Sequence, residues 1–143
     1  LRDATMDMLD AKKDQMDEVT YRRARHVITE DDRVLEAVKA FEQGDLAKLA
    51  TLMYASHCSM RDDFEITIPE IDGLVEIIRE AIGENAAVRM TGGGFGGSVV
   101  AVVEPSKVEQ VKAAIDAKYE ALAGRKATII ETHAFNGAVF TNL

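Results

Sequence analysis

The sequence predicts an α+β fold in which an antiparallel four-stranded sheet carries helices on one face, with additional helices at the N-terminal end. Three observations predict it. Two apolar stripes at helical spacing, Ile71/Leu74/Val75/Ile78/Ile82 and Val108/Val111/Ile115/Tyr119/Leu122, each open beside a proline and close at a glycine. Runs rich in β-favouring residues lie at 22–29, 86–91, 98–104 and 127–135. The middle two runs are joined directly, so the order around them is β, helices, β, β, helix, β.

Taken along the chain, "RRARHVIT" (22–29) is the first expected strand. "TEDDRVLEAVKAFEQG" then predicts a helix over 30–43, with Thr29 as N-cap, an apolar stripe of Val34, Leu35, Val38 and Phe41, and Gly44 as the stop. Asp45 caps the next helix, "LAKLATLMYASHCSM", where Leu46, Leu49, Met53 and Tyr54 share a face. "TIPE" (67–70) has capping-box spacing with Pro69 in the first turn, where its missing N–H costs nothing, and Gly83 ends that helix. "SKVE" (106–109) repeats the signature after Pro105 and leads to a stop at Gly124. This order is that of the split β-α-β-β-α-β plait, the ferredoxin-like arrangement. With no linker or repeat, residues 1–143 are expected to form one domain.

Composition narrows the function classes. The 143 residues are 47% apolar, enough for a core of their own. A formal net charge of −8 argues against nucleic acid and anionic membrane as partners, since both are recognised through clustered Lys and Arg. A lone cysteine, Cys58, rules out an internal disulfide framework and suits a reducing compartment, with the cytoplasm as the default. No stretch of about 18 apolar residues is present to span a bilayer. The charged, helical opening "LRDATMDMLDAKKDQMDEV" reads as the middle of a longer protein.

The most informative stretch is "RMTGGGFGGS" (89–98), with glycine at five of the six positions 92–97. Gly92, Gly94 and Gly97 match G-x-G-x-x-G, but a dinucleotide site needs a helix right after the loop, and "SVVAVVE" reads as a strand. A protein kinase would need a strand lysine, an H-R-D loop and D-F-G, all missing here. Two residues would close a simple hairpin. Five glycines disfavour folding by about 0.5–1 kcal/mol each, which points to a backbone that must lie very close to something else. Successive amides of such a loop can also form an anion-binding concavity.

"RMTGGGFGGS" resembles the third sequence motif of the galactokinase, homoserine kinase, mevalonate kinase and phosphomevalonate kinase superfamily, and "SHCSMRDDFEITIPEIDGLVEII" (56–78) resembles galactokinase in particular. The likeness extends over essentially the whole chain, including "RRARHVITE". Ser98 stands where many relatives carry cysteine. The resemblance implies a ferredoxin-like C-terminal domain of an enzyme that transfers the γ-phosphoryl group of ATP to the anomeric hydroxyl of galactose. It places Thr91, Gly92, Gly93, Gly94, Phe95, Gly96 and Gly97 at the interdomain cleft beside the phosphate loop. The sugar-binding segment, the phosphate loop, the Mg2+ ligands and the Asp that acts on the sugar belong to the family's N-terminal domain, and none of those motifs occurs in this sequence. No catalytic residue and no metal ligand is therefore expected in this chain, and ATP and Mg2+ are expected to be bound only with the N-terminal domain, its expected partner. The other reading is a non-catalytic binding or regulatory module on the same fold.

The remaining candidates are weaker. Arg61, Asp62, Asp63 and Glu65 are expected to be solvated or ion-paired, with Arg61 or Asp62 as a buttress of the cleft. His57 and Cys58 lack a third, suitably spaced ligand for zinc and are expected to serve helix packing. His26 and His133 are expected on strands, and Met53, Met60 and Met90 in the core. Met53, Tyr54, Phe64, Ile71 and Phe95 are the expected contributors to an exposed surface on which the isolated chain would self-associate.

Overall fold

The computed structural model describes residues 2–83, 85–134 and 137. A short helix α1, Met6–Asp10, is capped by Thr5 Oγ1, which accepts from the Met8 amide at 3.3 Å. A 3₁₀ turn, Lys13–Gln15, leads into α2, Glu18–Gln43. The carboxylate of Asp17 caps α2, accepting from the Thr20 amide at 2.9 Å, and Gly44 ends it in the left-handed conformation with φ of 66°.

The expected first strand is thus helix. Residues 22–29 occupy early turns of α2, and Thr29 lies mid-helix, its hydroxyl donating back to the Arg25 carbonyl at 2.9 Å. Asp17 and Thr20 supply the helix start that Thr29 does not. Arginine and alanine at 22–25 are strong helix formers, and the three β-branched residues that follow do not outweigh them once the helix is nucleated. His26, a helix residue in consequence, is buried with Ile28 and Ala40.

α3, Leu46–Asp62, starts at Asp45 as expected, with Oδ1 accepting from the Lys48 amide at 2.9 Å. α4, Pro69–Ile82, has proline in its first turn, but extended Ile68 takes the cap position and the Thr67 hydroxyl instead donates to Asp72 Oδ2 at 3.1 Å. β1, Ala87–Thr91, and β2, Ser98–Val102, pair antiparallel, with Ala87 opposite Val102 and Thr91 opposite Ser98. A 3₁₀ turn at Pro105–Lys107 contains Ser106 and precedes α5, Val108–Ala123, which Gly124 ends at φ of 68°. The Leu122 side chain lies where a Cβ on Gly73 would be, which accounts for glycine inside α4.

Among the described residues the sheet has two strands, β1 and β2. Residues 127–134 of the expected last strand carry no strand pairing, and Phe135 lies outside the described residues. The α+β class stands. No helix among the described residues is long and apolar enough to cross a membrane.

Successive side chains of β1 point to opposite faces. Val88 joins Val75, Ile77 and Ile78 of α4 and Val111, Ile115 and Tyr119 of α5, whereas Ala87 joins Ala40 of α2 and Leu49 and Ala50 of α3. Helices therefore cover β1 from both sides, in place of the expected single face. Met60 and Met90 pack with Ile71 in a third cluster, and Met53 borders the second. The stripe expected to bury α2 is turned outward instead: Val34, Leu35, Val38 and Phe41 are all at least half exposed. The helix packs through small residues, Ala37 and Ala40, which bring its backbone close to α3. Ile71 is buried, and among the described residues the exposed large apolar side chains include that outward stripe, Phe95 at 74% exposure, Met8 and Ile130.

Candidate functional site

The loop from Gly92 to Gly97 is closed at its base by the Thr91–Ser98 strand pair. Gly94 has φ of 85°, and the neighbouring Phe95 also takes a positive φ, 56°, which is uncommon for a residue with a Cβ. This geometry folds the tip of the loop onto the linker between α3 and α4. The Phe95 amide donates to the Ile66 carbonyl at 2.6 Å. A Cβ on Gly94 would stand 2.6 Å from that same oxygen and 2.7 Å from Ile66 Cβ, closer than real side chains come. Gly96 faces Ile68 across 3.9 Å, while Gly92 and Gly93 open onto free space. The tip of the loop is seated on its own linker, while Gly92 and Gly93 present bare backbone. Glycine at 94 is required by the close approach that the sequence suggested.

The linker is held in turn by α2. Arg22 donates to the Asp62 carbonyl at 2.8 Å and to Glu65 Oε1 at 3.1 Å, and Arg23 donates to Glu65 Oε2 at 2.6 Å and to the Asp63 carbonyl. Arg25 pairs with the carboxylate of buried Asp63, which also accepts from Ser59 Oγ at 3.0 Å. His26 stacks on Phe64 with ring centroids 4.5 Å apart. The hydrogen bonds from Arg23 and Arg22 hold the Glu65 carboxyl below the usual carboxylate range.

Arg61 and Asp62 form an exposed bidentate pair with each other, at 2.7 and 3.0 Å. That bond lowers the Asp62 carboxyl and raises the Arg61 guanidinium. The acidic cluster is ion-paired as expected, but its partners on α2 were hidden by the strand reading of 22–29. Arginines at 22 and 25 lie three apart on one helical face, a signal visible only after Asp17 is taken as an N-cap. Cys58 is a half-buried free thiol, and His133 is exposed in the segment after α5. Among the described residues no group of three or more His, Cys, Asp or Glu side chains is placed to hold a metal ion.

His57 is fully buried in α3, as expected for a packing residue. Its Nδ1 accepts from the Met90 amide at 3.4 Å, which leaves the proton on Nε2, 3.3 Å from Asp72 Oδ1. Burial pushes the imidazoles of His57 and His26 below the ordinary histidine range despite the carboxylates of Asp72 and Glu30 nearby. A folded-state value below the unfolded one means that the unfolded chain takes up protons first as pH falls. Stability is accordingly expected to be full above about pH 7 and to decline through about pH 6.5, by up to about 1.4 kcal/mol per pH unit for each histidine. Asp62 and Glu65 lose their ion pairs only at lower pH, through the carboxylate range. Urea midpoints that stay flat between pH 7.5 and 5 would contradict this.

Residues 37–121, from the last two turns of α2 into the last turn of α5, match the family described as GHMP kinases C terminal. Among solved structures the chain is similar to that titled as the crystal structure of Lactococcus lactis galactokinase complexed with galactose. The two share 38% sequence identity at a TM-score of 0.80, over 87% of this chain and 32% of that one. The chain thus spans about a third of the length of that galactokinase.

Proposed function

This chain belongs to the GHMP kinase C-terminal family, and from that premise we propose that it is the C-terminal domain of an ATP-dependent galactokinase, forming galactose 1-phosphate and ADP in the cytoplasm. The observation that carries the reading is the seated glycine loop: Thr91 to Gly97 turn one side to the α3–α4 linker and leave Gly92 and Gly93 open for another backbone, the phosphate loop of an N-terminal domain. Phosphoryl transfer depends mostly on positioning and charge stabilisation, so a loop without proton chemistry has a defined part in it. Arg61 and Asp62, at the end of α3 above the linker, serve as a buttress of the same cleft.

In this reading ATP, Mg2+ and the sugar are bound by the assembled enzyme, and the 143-residue chain alone is expected to make no galactose 1-phosphate. The test is a chimera in which this chain replaces the matching third of the Lactococcus galactokinase. Galactose-dependent ADP release by the chimera is expected. A folded chimera that binds its N-terminal part and phosphorylates no sugar would favour the non-catalytic module.

Separated from that part, the chain exposes Phe95 and the α2 stripe, and it is expected to self-associate or to recombine with an N-terminal half. Light scattering near about 100 μM, where an interface of standard size is populated, measures this. Phe41→Asp should lower the apparent mass, and a wild-type chain that stays monomeric and ignores the N-terminal half would contradict it.

A further inference from the structure

Glu65 sits in the linker with φ of 56°, a left-handed torsion that a residue with a Cβ holds only when its surroundings impose it. The surroundings here are two arginines from α2. The carboxylate gives one oxygen to Arg22 and the other to Arg23, and the same two guanidinium groups also grip the backbone carbonyls of Asp62 and Asp63 just before it. The linker amides on either side of Glu65 turn back to α3, from Phe64 to the Ser59 carbonyl at 2.9 Å and from Ile66 to the Met60 carbonyl at 3.0 Å. The turn at Glu65 thereby sets where the next residue stands: the Ile66 amide is fixed on α3, and the Ile66 carbonyl, one peptide further on, accepts from the Phe95 amide of the glycine loop at 2.6 Å.

We infer that Glu65, pinned by Arg22 and Arg23, is a positioning residue for the glycine loop and sets its seat through the Ile66 carbonyl. The route runs from α2 to Glu65, from Glu65 to the position of Ile66, and from the Ile66 carbonyl to Phe95. Glu65 is itself half exposed, and exposed ion pairs contribute little to global stability. Its loss should therefore register locally, at the loop, and scarcely at the core. The tether rests on contacts within this chain; only its consequence for turnover rests on the kinase reading.

Hydrogen exchange of the Phe95 amide, followed by NMR in the 143-residue chain, tests the tether. E65A is expected to speed that exchange about tenfold while the buried Ile78 amide of α4 stays within about twofold. E65Q, which keeps one acceptor oxygen, is expected to fall between. Salt at about 0.5 M should speed Phe95 exchange in the wild type and not in E65A, because screening acts on the ion pairs that E65A lacks. Unchanged Phe95 exchange in E65A overturns the proposal, and so does an equal quickening at Ile78, which would mark a general loss of stability. In the chimera, E65A is expected to lower kcat about tenfold with an unchanged melting temperature. Faster Phe95 exchange with unchanged kcat would leave the tether standing and overturn the placement of the loop in the kinase cleft.

Discussion

Gly94→Val in the galactokinase chimera is expected to lower kcat by between about fivefold and 150-fold, the range that corresponds to about 1–3 kcal/mol of strain at a position with an imposed backbone conformation. Two separate effects act together there. The torsion is one that side chains disfavour, and the first atom of any side chain would overlap the Ile66 carbonyl and Cβ. The backbone of Ile66 cannot step aside, because Arg22, Arg23 and the carbonyls of α3 hold its neighbours. The loop must lift instead, losing the Phe95 hydrogen bond, for which about 1 kcal/mol of net stability is the ordinary figure. Global stability thus falls little while the part facing the phosphate loop is displaced. Gly96→Val carries the torsional penalty with free space around it, since Ile68 is 3.9 Å away, and should cost less than Gly94→Val. Equal kcat values for Gly94→Val and the parent chimera would return the loop to a plain hairpin turn.

Between Asp45 and Gly124 the fold is legible in the sequence because the signals there are local, whereas the strand expected at 127–135 has no pairing among its described residues. Asp45, Pro69, Gly83 and Gly124 act within one turn of a helix end, and the hairpin strands announce themselves by β-branched residues on either side of the glycines. The first half was misread where propensity and nucleation disagree. Val27, Ile28 and Thr29 favour strands, yet they follow a capped helix start at Asp17 and ride in a helix that packs against α3. The outward stripe of α2 shows the same limit: spacing identified Val34, Leu35, Val38 and Phe41 as one face, but which face packs was decided by the alanines that admit α3 most closely. At the site, glycine content pointed to close backbone approach, and the partner in that approach is a main-chain carbonyl at Ile66. Every residue type carries that group, so no sequence pattern could single it out. The arginines that fix it were legible only as helix residues, at a spacing that a strand reading conceals.

Leu49→Ala is expected to destabilise the chain by about 3–5 kcal/mol, in the upper part of the range for large-to-small core changes, and to lower its melting temperature by roughly 10–20 °C. Leu49 is almost wholly buried where α2, α3 and β1 meet, among Ala40, Ala50 and Ala87. Its neighbours decide the size of the effect. Alanines have no rotamers with which to enter a vacated space, and Ala40 and Ala87 are fixed by a helix and a paired strand, so the cavity stays largely open. Met53 borders the cluster and is flexible enough to lean in, which bounds the loss from above. Leu46, on the same helix but 41% exposed, supplies the contrast: Leu46→Ala should cost about 1 kcal/mol or less, because little apolar area leaves water there to begin with. Leu49→Met conserves volume and should stay within about 1.5 kcal/mol of the parent. Thermal denaturation of the three variants separates the cases. A Leu49→Ala loss no larger than that of Leu46→Ala would mean that α2 settles onto β1 and closes the space, and that the small residues of α2 permit sliding where they are held here to fix its distance from the sheet.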